Sequence, residues 1–286
     1  MVRFVEVNGY IIKPGADLTA ADLTDANLDY VDLRSADLTD ANLYGADLTG
    51  ANLTYATLTG ANLKGAVLLR ANLHIADLSV ANLSVANLRG ADLTDANLTD
   101  ANLFIADLSG ANLQGAILLG ADLRGGDLRG ARLARANFAG ANFAGANLAG
   151  ADLYLAFLFE ADLTSAILNL ADLRGASLRG AILNLADLRW ASLSSANLVG
   201  ADITGANLKF ASLADAHLGG AKLCGADLSG ADLSGADLRA ANLSEANLAD
   251  AHLGGADLSG ANLLAADVTG ADLAGAKLDG VIGYTP

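Results

Sequence analysis

Few side chains of this 286-residue sequence are suited to catalysis or metal binding. The candidates are three histidines, His74, His217 and His252, and the single cysteine, Cys224. A zinc site needs closely spaced His and Cys ligands, and a nucleophile needs a nearby base to activate it. The spacing of these four residues provides neither arrangement. We therefore expect surface side chains here, with no metal site, no catalytic residue and no cofactor.

The charge balance limits the partners. The sequence has 32 acidic and 17 basic side chains, a formal net charge of −15. Nucleic acids and anionic membranes attract cationic surfaces, so this balance argues against both. The first residues lack the basic and apolar regions of a signal peptide, and no apolar run is long enough to cross a membrane. A single cysteine excludes an internal disulfide and suits a reducing cytoplasm, where we expect the protein to act.

A five-residue repeat organises most of the chain. Residues 16–280 read as 53 units of the form A-(D/N)-L-x-x, without insertion or deletion. With the places of a unit numbered one to five, the first is Ala in 51 units and the third is Leu in 49. Gly occupies the fifth place in 26 units. The elements that position every side chain must therefore follow this period.

A period of five fits neither of the two regular elements. On a helix, each step of five turns about 500°, so successive leucines form no stripe. On a straight strand, an odd period makes the leucines alternate between faces. The pattern fits a chain that turns a corner in every unit, with the first and third places inward and the others outward. Gly at the fifth place suits corners that need unusual backbone angles. The pattern predicts a solenoid of very short stacked strands with a filled Leu/Ala core.

The repeat resembles that of the pentapeptide-repeat family over residues 16–280. The resemblance implies an all-β fold, a right-handed quadrilateral parallel β-helix with four units per coil and about 13 coils. Residues 1–15 leave the repeat, and an Asn-Gly pair between apolar-rich arms predicts a β-hairpin that acts as an N-terminal cap. Residues 281–286 form a short C-terminal tail.

The C-terminal coil has two interpretations. If it is uncapped, two copies can associate end to end through it. Alternatively, Val281, Ile282 and Tyr284 fold over the end of the solenoid.

Four units per coil mean that each residue lies over the residue 20 positions further on. Basic or His residues occupy the second place of five units, and an Asp lies 20 residues from each of them: Arg132, His217, Lys222, His252 and Lys277. A spacing of 15 residues leaves Arg132 and Lys277 without such a neighbour. The charges therefore favour a four-sided coil.

The candidate functional site is an apolar column. Leu170, Trp190 and Phe210 occupy fifth places 20 residues apart, and Arg189 and Lys209 precede two of them. Aromatic residues beside Arg or Lys are typical of protein interfaces. A secondary apolar patch is predicted on another side, at Ile117, Leu119, Phe157 and Phe159. The alternative is that these side chains only shield the corners of the solenoid.

Three functional classes follow. The first is a non-enzymatic interaction or scaffold module with an unknown protein partner. The second is suggested by the resemblance, since the quinolone-resistance members of the family imitate B-DNA and bind type II topoisomerases. A DNA-like rod of about 64 Å would need roughly 37 negative charges, whereas this chain carries a net −15. The third class, an enzyme, would need a pocket that a filled core does not provide. We expect the first class.

Overall fold

The computed structural model describes residues 5–284. Two strands open it, β1 (Val5–Val7) and β2 (Tyr10–Ile12), which pair antiparallel with Val7 opposite Tyr10. The turn between them is Asn8-Gly9, and both residues have a positive φ. This is the backbone conformation of the tightest hairpin turns, which Asn-Gly favours.

The hairpin lies against the first units of the repeat. The Asn8 side chain donates a hydrogen bond to the carbonyl of Asp22 (3.2 Å), and the Asp22 N–H donates to the Tyr10 hydroxyl (3.3 Å). Ile12, at the end of β2, is buried. The first inward residues of the repeat, Ala16 and Leu18, are buried as well.

From Asp17 to Asn142, and again from Asn147 to Ile282, the backbone forms a ladder of single parallel bridges between residues 20 apart. Each second-place residue is one bridge position, and four such positions separated by two-residue turns make one coil. In the first coil the Asp37 N–H donates to the Ala16 carbonyl (2.9 Å) and the Leu18 N–H donates to the Asp37 carbonyl (2.7 Å). The predicted β-helix solenoid and its 20-residue spacing are confirmed.

The corners satisfy their own backbone groups. The Ala20 N–H, at a fifth place, donates to the Thr39 carbonyl of the next coil (2.8 Å). The Ala21 N–H, at the following first place, donates to the Leu18 carbonyl and closes the turn (3.0 Å). Because these bonds recur in unit after unit, the irregular-looking corners leave few backbone donors unpaired.

The remaining N–H, at the fourth place, explains why the second place is Asp or Asn. The Thr19 N–H donates to Oδ1 of Asp17 (3.1 Å), and the Asp29 N–H donates to Oδ1 of Asn27 (3.1 Å). Either side chain provides the same oxygen, as in other Asx turns. The carboxylate and the amide are therefore interchangeable for the fold, and they differ in charge.

The chain divides into two compact units, unit 1 (Met1–Asn142) and unit 2 (Phe143–Pro286). In each, first-place alanines and third-place leucines are fully buried over most of the length. Phe138 replaces Leu in the core of unit 1 and Phe143 does so in unit 2. Within residues 5–284 no helix is long and apolar enough to cross a membrane.

The inward residues near the end of unit 2 are less covered. Val268, Leu273 and Leu278 are half-buried, whereas earlier third-place residues are fully buried. Of the three residues that one interpretation folds over this end, Ile282 is exposed, and Val281 and Tyr284 are half-buried.

Candidate interaction surface

The candidate surface stands on corners with a strained backbone. Leu170, Trp190 and Phe210 have φ values of 61°, 60° and 58°. This left-handed conformation costs an L-residue with a side chain about 1–2 kcal/mol, and it costs Gly almost nothing. Glycines at other fifth places have the same angles, for example Gly230 with φ 63°. Large side chains at these three corners are therefore retained against a backbone preference for Gly.

The aromatic residues of the column stack on each other. The ring centroids of Trp190 and Phe210 are 4.4 Å apart and the planes are inclined by 28°. The coils are joined beside the rings, because the Trp190 N–H donates to the Lys209 carbonyl (3.1 Å). An offset stack of this kind contributes about 0.5–1.5 kcal/mol beyond its buried area. We call Leu170, Trp190 and Phe210 the apolar corner column.

A glycine, Gly230, lies beneath the ring of Phe210, the last residue of this column. A Cβ added to Gly230 would lie 2.6 Å from Cδ1 of Phe210, so the ring covers the space that a side chain would fill. The same arrangement recurs elsewhere, with a fifth-place side chain over the glycine 20 residues later, as for Tyr30 over Gly50 and Leu185 over Gly205. Fifth-place side chains therefore lean toward the next coil, and Gly there makes the room.

Most of the column remains open to solvent. The exposed fraction is 65% for Leu170, 60% for Trp190 and 42% for Phe210. Large aromatic and aliphatic side chains that project singly are common on protein surfaces, whereas contiguous ones mark interaction sites. The contiguity here results from the 20-residue spacing.

The two basic residues of the predicted site differ in their surroundings. Arg189 binds the carboxylate of Asp187 through Nε (2.8 Å) and Nη2 (2.7 Å). These hydrogen bonds lower the pKa of Asp187 and raise the pKa of Arg189. Lys209 has no ion pair among residues 5–284, and its Nζ lies 5.3 Å from the centre of the Phe210 ring. Lys209 is therefore the cation of this surface that remains free for a partner's carboxylate.

The structure brings together all five residues predicted for the main site. The prediction missed the pairing of Arg189 with Asp187. The A-D-L-R unit contains the signal, since the second-place oxygen already accepts from the fourth-place N–H and so lies beside the fourth side chain. The prediction also missed Gly230, which the spacing of 20 residues from Phe210 would have revealed.

The secondary patch has two residues in each compact unit. In unit 1, Ile117 and Leu119 are exposed on one side of a single repeat. In unit 2, Phe157 and Phe159 are exposed in the same way. Ile117 and Phe157 occupy second places, where they lack the oxygen that caps the turn at most other units. Their role in binding stays a prediction.

The residues considered for metal binding or catalysis lie apart. Nδ1 of His74 lies 3.0 Å from the Thr94 carbonyl, and the His74 ring meets the edge of Tyr55. His217 and His252 occupy bridge positions next to Asp237 and Asp232. Within residues 5–284 no three His, Cys, Asp or Glu side chains are grouped closely enough to hold a metal ion.

The electrostatic neighbours predicted from the 20-residue spacing are present in unit 2. Nζ of Lys222 lies 3.3 Å from Asp202, and Nζ of Lys277 lies 3.2 Å from Asp257. In unit 1, Arg132 donates a hydrogen bond to Gln114 (2.9 Å).

The repeat, its register and the capped turns can now be compared with known proteins. The sequence model described as pentapeptide repeats matches eight stretches, residues 16–54, 46–84, 76–103, 106–143, 156–194, 171–209, 201–239 and 241–280. The chain belongs to the pentapeptide-repeat family. No curated protein matches it.

Solved pentapeptide-repeat structures are similar to the chain. HetL of the cyanobacterium Nostoc sp. strain PCC 7120, described as involved in heterocyst differentiation regulation, is 37% identical over 84% of this chain and 90% of its own, with a TM-score of 0.25. Rfr23 of the cyanobacterium Cyanothece 51142 is 36% identical over 34% of this chain and 63% of its own, with a TM-score of 0.23. The plasmid-mediated fluoroquinolone resistance protein QnrB1 is 23% identical over 68% of this chain and 88% of its own, with a TM-score of 0.37. The family assignment depends on the repeat and the sequence identity.

Proposed function

We propose that the chain is a non-enzymatic cytoplasmic scaffold that binds a protein partner through Leu170, Arg189, Trp190, Lys209 and Phe210. The family resemblance supports a right-handed solenoid of about 13 coils as the support for this surface. The Ala/Leu core is filled, so the chemistry available to a partner lies in the outward side chains. HetL, a relative of the same family, is described as taking part in regulation, and a regulatory scaffold fits that description.

The main support for the proposal is that Trp190 is exposed at a corner whose backbone conformation favours Gly. It is 60% exposed at a corner with φ 60°, a conformation that favours Gly. Trp is enriched among the residues that dominate binding energy at interfaces, because it combines a large apolar area with few rotatable bonds. A partner that covers the apolar corner column would bury this area and give Lys209 a counter-ion.

Shielding is the competing explanation. It accounts for Phe210, whose ring covers Gly230. It does not account for Trp190 or Leu170, because the residue 20 positions after each is itself large and the corner needs no cover. The outer face of the column therefore remains to be explained, and partner binding explains it.

The test compares two exposed aromatic corners. The wild-type chain, the double variant Trp190→Ala/Phe210→Ala and the control Tyr30→Ala are immobilised and exposed to host lysate. Tyr30 also stands at a fifth place with positive φ and covers a glycine, but it lies in unit 1. We expect at least one protein that is retained by the wild type and by Tyr30→Ala and is lost from the double variant.

The fluorescence of the single tryptophan then tests direct contact with the purified partner. Trp190 is the only tryptophan of this chain. Binding at the column should reduce the quenching of its emission by acrylamide, and a tryptophan-free version of the partner removes ambiguity. Identical retained proteins for all three chains, or unchanged quenching, would contradict the proposed site.

A second candidate follows from the net charge of −15, namely a DNA-mimicking modulator of a type II topoisomerase such as gyrase. Several carboxylates are neutralised by the arginine two residues later, as Asp187 is by Arg189, which reduces the likeness to a phosphate backbone. A supercoiling assay separates the two candidates. Inhibition or protection at micromolar protein, abolished by Asp→Asn changes, would favour mimicry.

End-to-end association of two copies stays a prediction for the half-buried coil near Val268, Leu273 and Leu278. Light scattering over a concentration series measures it. A mass that rises toward twice the monomer value in the wild type and stays monomeric in Leu273→Asp is the expected result. A constant monomer mass for both proteins would contradict it.

A further inference from the structure

Arginines at the fourth place are usually neutralised within their own unit. In each unit with Asp at the second place and Arg at the fourth, the guanidinium binds both oxygens of the carboxylate, with Nη2 to Oδ2 distances of 2.6–2.7 Å. The arginines that share this geometry are Arg34, Arg124, Arg129, Arg174, Arg189 and Arg239. Bidentate pairs of this kind offset the charge of the guanidinium, so these arginines attract an anion less strongly than an unpaired arginine does.

Arg89 does not form such an ion pair, because the second place of its unit is Asn instead of Asp. Its unit reads A-N-L-R-G, with Asn87 at the second place. The turn is the same, since the Arg89 N–H donates to Oδ1 of Asn87 (3.1 Å) as the Arg129 N–H donates to Asp127 (3.1 Å). The amide provides the turn oxygen without the charge. Among residues 5–284, Arg89 consequently makes no ion pair.

A second arginine without an ion pair in the described chain lies beside it. Arg70 occupies the fifth place of the preceding coil, and its Cγ would lie 3.7 Å from a Cβ on Gly90. Arg70 and Arg89 are both exposed. Together with Leu69, Gly90, Ser109 and Gly110 they line a groove of about 400 Å³. Gly at 90 and 110 leaves the floor of the groove free of side chains.

Two carboxylates and a third arginine lie on the coils that follow Arg89. Asp107 and Asp127 follow Asn87 along the same ladder of bridges. Asp127 is held by Arg129 through both oxygens and is also attracted by Arg89, and Asp107 acts electrostatically on Arg129. Arg70 and Arg89 line the groove without a carboxylate among the lining residues, and two guanidinium groups in one groove repel each other unless an anion is shared between them.

The volume of the groove and the net negative charge of unit 1 both favour a small anionic ligand. Residues 1–142 contain 16 acidic and 10 basic side chains, so a long polyanion would soon meet repulsive carboxylates. Small-molecule sites have volumes of roughly 300–1,000 Å³, and this groove lies near the lower end of that range. Two guanidinium groups match the oxygens of a doubly charged phosphate better than a single carboxylate.

We propose that Arg70 and Arg89 bind a phosphate group, either free or carried by a small phosphorylated molecule, in the groove of unit 1. Ser109 lines the same groove. The backbone of the floor contributes no donor, because the Gly90 and Gly110 N–H groups already bond to the carbonyls of Ser109 and Arg129. Binding therefore depends on the two arginine side chains.

The most informative variant gives Arg89 a carboxylate partner within its own unit and removes neither arginine. Asn87→Asp recreates an A-D-L-R unit, which ties Arg89 to its own turn. Asn197→Asp is the matched control, since it adds the same charge at a second place of unit 2 next to Ser177 and His217. Arg70→Gln and Arg89→Gln test the ligands directly. Arg179→Gln controls for loss of an exposed fourth-place arginine whose second-place residue is Ser177.

The probes are inorganic phosphate, AMP and adenosine, titrated at low salt and followed by calorimetry and phosphorus NMR. We expect phosphate and AMP to bind to the wild type and adenosine not to bind. Asn87→Asp, Arg70→Gln and Arg89→Gln should each weaken binding roughly tenfold, as loss of one charge-assisted contact predicts. Asn197→Asp and Arg179→Gln should bind as the wild type does.

Three outcomes would overturn the proposal. They are absence of binding by phosphate and AMP at millimolar concentration, equal weakening by Asn87→Asp and Asn197→Asp, and equal binding of AMP and adenosine. If AMP binds much more tightly than phosphate, the ligand is a phosphate ester, and if the two bind equally, it is free phosphate. Both results support the shared chemistry. Circular dichroism and thermal unfolding of each variant confirm that the charge change leaves the fold intact.

Discussion

The inward places and the corners of the same five-residue unit obey opposite rules. Inward, Ala and Leu repeat almost without exception and are fully buried, so one unit is nearly interchangeable with another. At the corners, Gly alternates with Asp, Arg, Leu and Trp although the backbone everywhere has the same positive φ. The comparison teaches that the core determines the fold, whereas the corners, where variation costs little beyond local strain, carry what distinguishes this chain.

The largest expected effect on stability comes from replacing a leucine by alanine at an inward place, compared with the same replacement at a corner. Leu188 is 1% exposed and Leu185 is 67% exposed. Leu188→Ala should lower the free energy of unfolding by about 2–5 kcal/mol, because it removes buried methyl groups and leaves a cavity. Leu185→Ala should lower it by less than about 1 kcal/mol. Urea unfolding followed by circular dichroism measures both, and equal shifts of the two midpoints would contradict the comparison.

A smaller loss of stability is expected when either of two corner glycines is replaced by alanine. The two have the same backbone angle, but a side chain lies over only one of them. Gly230 and Gly225 have φ values of 63° and 64°. A Cβ on Gly230 would meet the Phe210 ring, whereas a Cβ on Gly225 has no neighbour within 4 Å. Both alanine variants should lose about 1 kcal/mol to backbone strain. Gly230→Ala should lose roughly 0.5–1.5 kcal/mol more, because Phe210 must leave its stack on Trp190.

Tryptophan emission provides a second measurement on the same pair. It should change in Gly230→Ala and stay constant in Gly225→Ala. A wild-type spectrum for both variants would mean that Phe210 moves aside without disturbing Trp190, and the column would then be looser than the ring distance of 4.4 Å indicates.

The smallest expected effect is a loss of stability at low pH. Hydrogen bonds from Ser259 lower the pKa of Asp257 to about 2, from an ordinary value of 3.8. Because the folded-state pKa is the lower one, the unfolded chain takes up the proton first as the pH falls. The stabilisation is therefore complete above pH 3.8 and is lost between there and about pH 2. Hydrogen bonds from Arg189, Arg124 and Arg239 lower the pKa of Asp187, Asp122 and Asp237 in the same direction.

The melting temperature should consequently change little from pH 7 to pH 5 and fall below about pH 4. In Asp257→Asn the fall should be shallower, because Asn keeps the turn hydrogen bond, as Asn27 does, and does not titrate. A wild-type and a variant curve of equal steepness between pH 4 and pH 2 would show that this carboxylate does not contribute.

Several features were predictable from sequence because they depend on spacing alone. The 20-residue register was implied by the resemblance and favoured by the position of Lys277 relative to Asp257, and the ion pair of 3.2 Å between them agrees with it. The unusual angle at the fifth place followed from the abundance of Gly there. The proximity of Trp190 and Phe210 followed from the same register, although spacing could not indicate that the rings stack rather than diverge.

Other features depend on side-chain direction and competition. The spacing placed Arg189 beside the column but did not reveal that its guanidinium binds Asp187 of the same unit. The lean of fifth-place side chains toward the next coil became visible only through Phe210 over Gly230. Arg70 and Arg89 are 19 residues apart and at different places of the unit, so no column of the repeat groups them. Their common groove depends on how each side chain leaves its corner.

The sequence by itself therefore determined the coil. An odd period, small first-place and large third-place apolar residues and a flexible fifth place leave the backbone one way to bury its leucines and pair its N–H groups. Only the tertiary structure decided which outward charges are neutralised within their own turn and which corner side chains meet. Those outcomes result from short-range competition between neighbouring coils, where a single change from Asp to Asn leaves the turn intact and frees an arginine.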